Sequence, residues 1–161
     1  QIEAGADTVM IFDTWGGVLD PYRYVSFSLD YMSSIVTHLK ASEAAADVPV
    51  VMFSKGAHLH LETMSESGAD ALGVDWTIGL DEARRRVAGR VALQGNLDPT
   101  AIYASPDRIR KEVARVLAAF GPGPGHVFNL GHGLQPNMDP EHVGAMVDAV
   151  HEQSPAYHRA P

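Results

Sequence analysis

The sequence predicts an α/β protein in which short strands alternate with helices. Five short apolar runs, at residues 8–12, 48–53, 71–75, 90–94 and 126–130, each end in polar or glycine residues. Runs of this kind are typical of strands buried in a parallel sheet. Helical apolar spacing fills the stretches between them, and strands that alternate with helices form right-handed βαβ units.

The helices are predicted from their apolar spacing and their end signals. The clearest one has Ser105 as N-cap, Pro106 at its first position and Gly121 after its end. Its apolar face carries Ile109, Val113, Val116, Leu117 and Phe120. Another helix begins at 139–140, and an earlier one carries Leu29, Met32, Val36 and Leu39. Weaker helices are expected over 57–67 and 80–88.

Two architectures fit five such strands in one domain of 161 residues. One is a complete flavodoxin-like sheet, and the other is the second half of an eight-stranded barrel, which typically needs about 250 residues. Length alone does not choose between them. In both architectures the functional residues lie on the loops that follow the strands.

Composition excludes several classes of function. Twenty acidic residues against twelve Lys and Arg give a net charge of −8, which argues against binding nucleic acid or an anionic membrane through overall charge. The lack of cysteine excludes disulfides and Cys-ligated zinc, and makes a reducing cytoplasm the simplest compartment. No apolar run approaches the roughly 18 residues of a membrane span. The chain opens at Gln1 as if at a helix end, so we expect a fragment of something longer.

Three loop residues are candidates for binding an anion. The hydroxyl of Thr14 can donate to a ligand carboxylate or carbonyl, and the alternative is capping by Thr14 or by the neighbouring Asp13. His132 lies between two glycines, which lets a ligand approach its imidazole; the alternative is a turn histidine. Lys55 directly follows a strand, although a solvated lysine is the plainer interpretation.

Four other motifs are interpreted as structural. Residues 95–99 have ordinary Asn and Asp turn chemistry. The pair His58 and His60 could ligate zinc, but we favour a solvent-facing helix surface. Arginines 84–86 are expected to pair with the acids just before them on a solvated helix face. The glycine-rich segment 121–125 precedes a strand, so it does not fit a phosphate loop.

Segments along nearly the whole chain carry a family resemblance. They are VMIFDT at 9–14, VDWT at 74–77, LQGNLDP at 93–99 followed by YAS at 103–105, and NLGHGL at 129–134 continuing through 136–151. In this order they resemble the C-terminal half of the uroporphyrinogen decarboxylase family. The resemblance implies that residues 1–161 are the C-terminal part of a single (β/α)8 barrel domain, with about five parallel strands.

The resemblance also implies an activity and its site. The family converts uroporphyrinogen to coproporphyrinogen by removing the carboxyl groups of four acetate side chains, usually as a homodimer, without metal or organic cofactor. Thr14 occupies the position of a substrate-contacting Ser or Thr, with Phe12 beside it at the cavity wall, and His132 matches a substrate-contacting histidine. Asp13 and Thr14 stand where relatives often have Glu and Ser.

The main catalytic groups of the family, an aspartate that holds the pyrrole NH groups and several arginines, are expected before Gln1, together with a substrate-contacting tyrosine. The fragment alone is therefore expected to be inactive. We expect the cleft to be locally positive through His132, Lys55 and the missing arginines.

Two alternatives remain at this point. One is a cobalamin or thiol methyltransferase of the same superfamily, which uses zinc held by His and Cys and is disfavoured by the absence of cysteine. The other is a non-enzymatic binding module of flavodoxin-like form, which would carry helices on both faces of its sheet.

Overall fold

Within residues 1–158, which the computed structural model describes, five parallel strands form one sheet. They are β1 (Val9–Asp13), β2 (Val50–Ser54), β3 (Ala71–Gly73), β4 (Ala92–Leu97) and β5 (His126–Leu130). The strands lie side by side in chain order, whereas a flavodoxin-like sheet has the order 2-1-3-4-5. The flavodoxin-like alternative is therefore wrong, and the order is that of a barrel wall. Residues 159–161 of the predicted domain lie outside the described part.

The helices follow the strands as predicted, with shorter pieces where the pattern was weak. They are α1 (Pro21–Tyr24), α2 (Asp30–Ala41), α3 (Leu61–Met64), α4 (Leu80–Val87), α5 (Pro106–Phe120) and α6 (Pro140–Gln153). A π-helical turn, Val25–Leu29, joins α1 to α2, and 3₁₀ turns lie at Gly16–Val18, His58–His60, Pro99–Tyr103 and Ser154–Ala156. The helix predicted over 57–67 is thus a 3₁₀ turn followed by the single turn of α3.

The two strongest helix starts differ in whether a side chain caps the helix. Ser105 has the extended backbone of an N-cap before Pro106, but its side chain makes no capping hydrogen bond. The carboxylate of Asp139 does cap α6, because it accepts from the backbone N–H of Glu141 at 2.9 Å. The fixed φ of proline starts α5 at the predicted residue without help from the serine hydroxyl.

The helices cover one face of the sheet and leave the other open. Outward side chains such as Met52, Leu72 and Leu93 are at most 1% exposed in a core shared with the helices. The pairing register places Phe12 beside Phe53 and Gln94 beside Val127 on the opposite face. There Phe12 is 65% and Val127 52% exposed at the two edge strands. One-sided coverage is the arrangement of a barrel wall, whose open face lines the barrel interior.

The turn predicted at 95–99 is wrong in its first half. Strand β4 runs through Asn96 to Leu97, and the buried amide of Asn96 donates to the carbonyl oxygens of Asp75 at 3.0 Å and Ile78 at 2.7 Å. The side chain is satisfied by the neighbouring β3 loop rather than by its own backbone, so the strand continues. Asp98 does act in a turn, since it accepts from the backbone N–H of Thr100 at 2.8 Å.

The pairing predicted for arginines 84–86 holds for one of them. Arg85 forms an ion pair with Glu82 one turn away. Arg86 instead reaches Glu62 on α3, and the hydrogen bond from its guanidinium lowers the pKa of Glu62 to about 2. Arg84 donates to the carbonyl oxygens of Phe120, at the end of α5, and of Pro122, at 3.0 Å in the connection that follows. Two of the three arginines therefore connect α4 with neighbouring elements. Spacing within one helix does not predict contacts of this kind.

No helix within residues 1–158 is both long enough and apolar enough to cross a bilayer.

Candidate functional site

A cleft of about 540 Å³ lies on the open face of the sheet, at the ends of the strands. Its lining includes Phe12 and Thr14 from β1 and its loop, Phe53 from β2, and Asn129 and His132 from β5 and its loop. The other lining residues are mostly apolar, among them Met10, Val74, Leu130, Val143 and Met146. The structure thus brings the three residues predicted to bind substrate, Phe12, Thr14 and His132, to the same cleft.

Asp13, rather than Thr14, organises the loop after β1. The Asp13 carboxylate accepts from the backbone N–H of Trp15 at 3.0 Å and from the hydroxyl of Ser28. No hydrogen bond to the Thr14 hydroxyl is present among residues 1–158, and Thr14 is exposed at the cleft. Of the two capping alternatives the one for Asp13 is confirmed, and the Thr14 hydroxyl stays available to a ligand.

A small buried polar group lies beneath this loop and was missed by sequence reasoning. The hydroxyls of Tyr24 and Ser54 are buried there, and burial raises the pKa of Tyr24. Gly16 covers them so closely that a Cβ atom on it would collide with the Ser54 hydroxyl and lie 2.8 Å from the Asp13 carboxylate. The one sequence signal for this buried group is the pair Gly16 and Gly17, which follows the polar end of β1. Gly16 therefore packs closely on this group, in the loop that carries Thr14.

His132 is held by aromatic rings and by a close backbone approach. Its ring centre lies 6.3 Å from that of Phe53 and 6.4 Å from that of Trp76, both edge to face. A Cβ atom on Gly131 would lie 2.7 Å from the backbone nitrogen of Trp76, so a glycine is required there. No hydrogen bond to the His132 ring nitrogens is present within the described residues. The imidazole is oriented by packing and lines the cleft.

The other histidine pair serves a structural purpose. His58 lies 3.0 Å from the Thr77 hydroxyl through Nδ1, and His60 stacks on Tyr24 with ring centres 4.4 Å apart. Both are half-buried, so the predicted solvent-facing surface is wrong. Desolvation, with the charge of Arg86, lowers the pKa of His60. Residues 1–158 contain no group of three His, Cys, Asp or Glu side chains placed to hold a metal ion.

The comparison with known proteins identifies the family. A family model described as Uroporphyrinogen decarboxylase (URO-D) matches residues 1–153. The chain belongs to the uroporphyrinogen decarboxylase family. The predicted fold class, the C-terminal portion of a (β/α)8 barrel with five parallel strands, is confirmed by this membership and by the strand order.

Curated uroporphyrinogen decarboxylases are close in sequence but longer. The protein from Hydrogenovibrio crunogenus is 60% identical over 159 residues, which are 99% of this chain and 45% of the relative. The one from Pseudomonas putida is 58% identical over 99% of this chain and 45% of its own length. The chain therefore spans under half the length of the uroporphyrinogen decarboxylases that it matches.

A solved structure extends the comparison of the fold. A methyltransferase from Methanosarcina mazei superposes with a TM-score of 0.78 at 24% identity, over 94% of this chain and 43% of its own. At this identity the likeness shows a shared fold and nothing about the reaction.

Proposed function

We propose that this chain forms one wall of the active site of an enzyme that decarboxylates uroporphyrinogen III to coproporphyrinogen III in porphyrin and haem biosynthesis. The observation that carries the proposal is the cleft that Thr14 and His132 both line, at the ends of β1 and β5. A hydroxyl and an imidazole are suitable donors for carboxylates. The apolar lining beside them, including Phe12, suits the body of a tetrapyrrole. The names of the curated relatives support the same substrate.

The reaction is a carboxy-lyase step that is repeated on four acetate side chains. After protonation of the pyrrole, the bond between the methylene and the carboxylate breaks, CO2 leaves, and the electron pair passes into the ring. A proton then adds to the methylene carbon and the ring proton is lost, so each acetate and one net proton give one methyl group and one CO2.

In this proposal the chain supplies binding groups rather than the ring-protonating acid. Thr14 and His132 hold carboxylates, and Phe12 forms the wall beside them. The resemblance assigns the aspartate and arginines of the reaction to the part of the relatives that this chain does not span. We therefore expect no turnover by the 161-residue chain alone, and we assign it no cofactor.

The test uses a full-length chimera, in which this chain replaces the matching C-terminal part of the Hydrogenovibrio crunogenus relative. The chimera should convert uroporphyrinogen to coproporphyrinogen, measured by chromatography of the oxidised porphyrins. Thr14→Val and His132→Phe should each raise KM about tenfold, the effect of losing one hydrogen bond to a charged group. Thr37→Val, on the exposed face of α2, is the matched control.

Two results would contradict the proposal. One is a folded chimera without decarboxylase activity. The other is a KM for the Thr14 and His132 variants that equals the KM of the Thr37 control.

We also propose a cytoplasmic homodimer, with neither nucleic acid nor membrane as a partner. The resemblance supports the dimer, the lack of cysteine supports the compartment, and the net charge of −8 supports the excluded partners. Light scattering on the chimera measures its mass, and a monomer would contradict the dimer.

A further inference from the structure

The loops at the open rim contain a single permanent cation. The five connections from each strand to the next helix are residues 14–20, 55–60, 74–79, 98–105 and 131–139. Lys55 is the one Lys or Arg in them. Lys55 is therefore the one permanent positive charge that these five loops offer to a polyanionic substrate.

The acidic residues of the same connections all accept hydrogen bonds from nearby backbone N–H groups. Asp20, Asp75, Asp98 and Asp139 each accept a hydrogen bond from the backbone N–H two residues later, at 2.8 to 3.0 Å. Asp75 also accepts from the backbone N–H of Gly56 and from the Thr77 hydroxyl. Hydrogen bonds of this kind stabilise a carboxylate in place, so these acids serve as caps. They leave Lys55 without an ion-pair partner among residues 1–158.

The backbone of Lys55 is held at the rim from both sides. Its N–H donates to the carbonyl oxygen of Asp13 at 3.1 Å, and its own carbonyl accepts from Gly17 at 2.9 Å. A Cβ atom on Gly17 would collide with that carbonyl, so the two loops approach as closely as glycine allows. The anchor of the side chain is thus fixed to the loop that carries Thr14.

Trp76 connects Lys55 with the cleft. The ammonium of Lys55 lies 5.6 Å from the centre of the Trp76 ring, and the same indole contacts the His132 imidazole edge to face at 6.4 Å. A cation over an aromatic ring is attracted to its face but keeps N–H groups free to donate. The indole therefore positions the ammonium without neutralising it, and the same indole packs against a histidine that lines the cleft.

We propose that Lys55, positioned by Trp76, forms a further carboxylate subsite at the rim of the cleft that Thr14 and His132 line. This inference rests on the proposed function, because a substrate with eight carboxylates needs more donors than one hydroxyl and one imidazole. The subsite adds the full positive charge that the rest of this rim lacks. It also reconciles a polyanionic ligand with a chain of net charge −8.

Binding of uroporphyrin, the oxidised and unreactive octacarboxylate, tests the subsite independently of turnover. Fluorescence titration of the full-length chimera gives the Kd of the parent and of each variant. Lys55→Gln should weaken binding about tenfold, as expected for a hydrogen bond between charged groups. Lys55→Arg should keep most of the affinity. Lys111→Gln, on the exposed surface of α5, makes the same change in net charge and should shift Kd about twofold at most.

The dependence of Kd on salt concentration is a second readout. It distinguishes the loss of a charge contact from a change in the shape of the site. Added NaCl should weaken binding to the parent more steeply than binding to Lys55→Gln. Equal Kd values or equal salt slopes for the Lys55→Gln and Lys111→Gln variants would overturn the subsite, as would a folded chimera that does not bind uroporphyrin. Melting temperatures show whether each variant is folded, and Lys55→Arg serves as the folded comparison.

The decarboxylation assay keeps the two proposals apart. If uroporphyrin binds with the expected dependence on Lys55 but uroporphyrinogen is not converted, the subsite stands and the proposed function fails. If uroporphyrinogen is converted and Lys55→Gln changes neither KM nor Kd, the function stands and the subsite is refuted.

Discussion

Replacing Asn96 by alanine should destabilise the protein more than a substitution in an exposed turn would. Asn96 is 6% exposed, and its side-chain amide donates to the carbonyl oxygens of Asp75 and Ile78. Each such hydrogen bond contributes about 1 kcal/mol, and an unpaired buried carbonyl costs about 1–3 kcal/mol. We therefore expect Asn96→Ala to lower the free energy of unfolding by about 2–4 kcal/mol.

Urea unfolding of the full-length chimera, followed by circular dichroism, measures this loss. Asn137→Ala is the matched control, because Asn137 is exposed and accepts one hydrogen bond, from Tyr103 at 2.7 Å. We expect it to cost about 0.5 kcal/mol at most, as is usual for surface substitutions. The loop that Asn96 holds carries Trp76, so Asn96→Ala should also weaken uroporphyrin binding. A cost for Asn96→Ala no larger than for Asn137→Ala would refute the reasoning.

Two further predictions concern stability. Gly16→Ala should lower the free energy of unfolding by about 1–3 kcal/mol through overpacking. Gly144→Ala should raise it by up to about 1 kcal/mol, because a Cβ atom there meets open space within α6. Equal melting temperatures for the two variants would contradict this prediction. Burial lowers the pKa of His126, which is stacked on a phenylalanine with Nε2 2.7 Å from a carbonyl oxygen. The unfolded chain takes up this proton at higher pH, so the free energy of unfolding should fall as pH drops below about 6.5. His126→Gln should flatten that dependence in urea titrations, while His151→Gln, at an exposed position, should not.

Local pattern was enough to predict most of the secondary structure. Pro106 and Gly121 bracket α5, and the apolar run 126–130 is β5, because these signals act within one or two turns of the chain. Prediction failed where a side chain finds its partner far along the sequence. Asn96 bonds to residues about twenty positions earlier, and Arg86 pairs with Glu62 on another helix.

In the candidate site too, local signals were predicted and contacts between distant residues were missed. Thr14 and His132 were found because parallel strands end at a common edge and loops there carry function. The support beneath Thr14 was missed, since Gly16, Ser54 and Tyr24 are ordinary residues until the fold stacks them. The subsite proposed at Lys55 likewise depends on Trp76, which follows a different strand.

The sequence by itself determined the α/β class, most of the strand and helix positions and the family, because apolar period, proline, glycine and loop motifs are local properties of the chain. Tertiary structure decided the strand order, the open face and the engagement of each rim carboxylate. Those depend on which loops the sheet brings together, and hydrogen bonds and ring contacts between loops are set by three-dimensional proximity rather than by spacing along the chain.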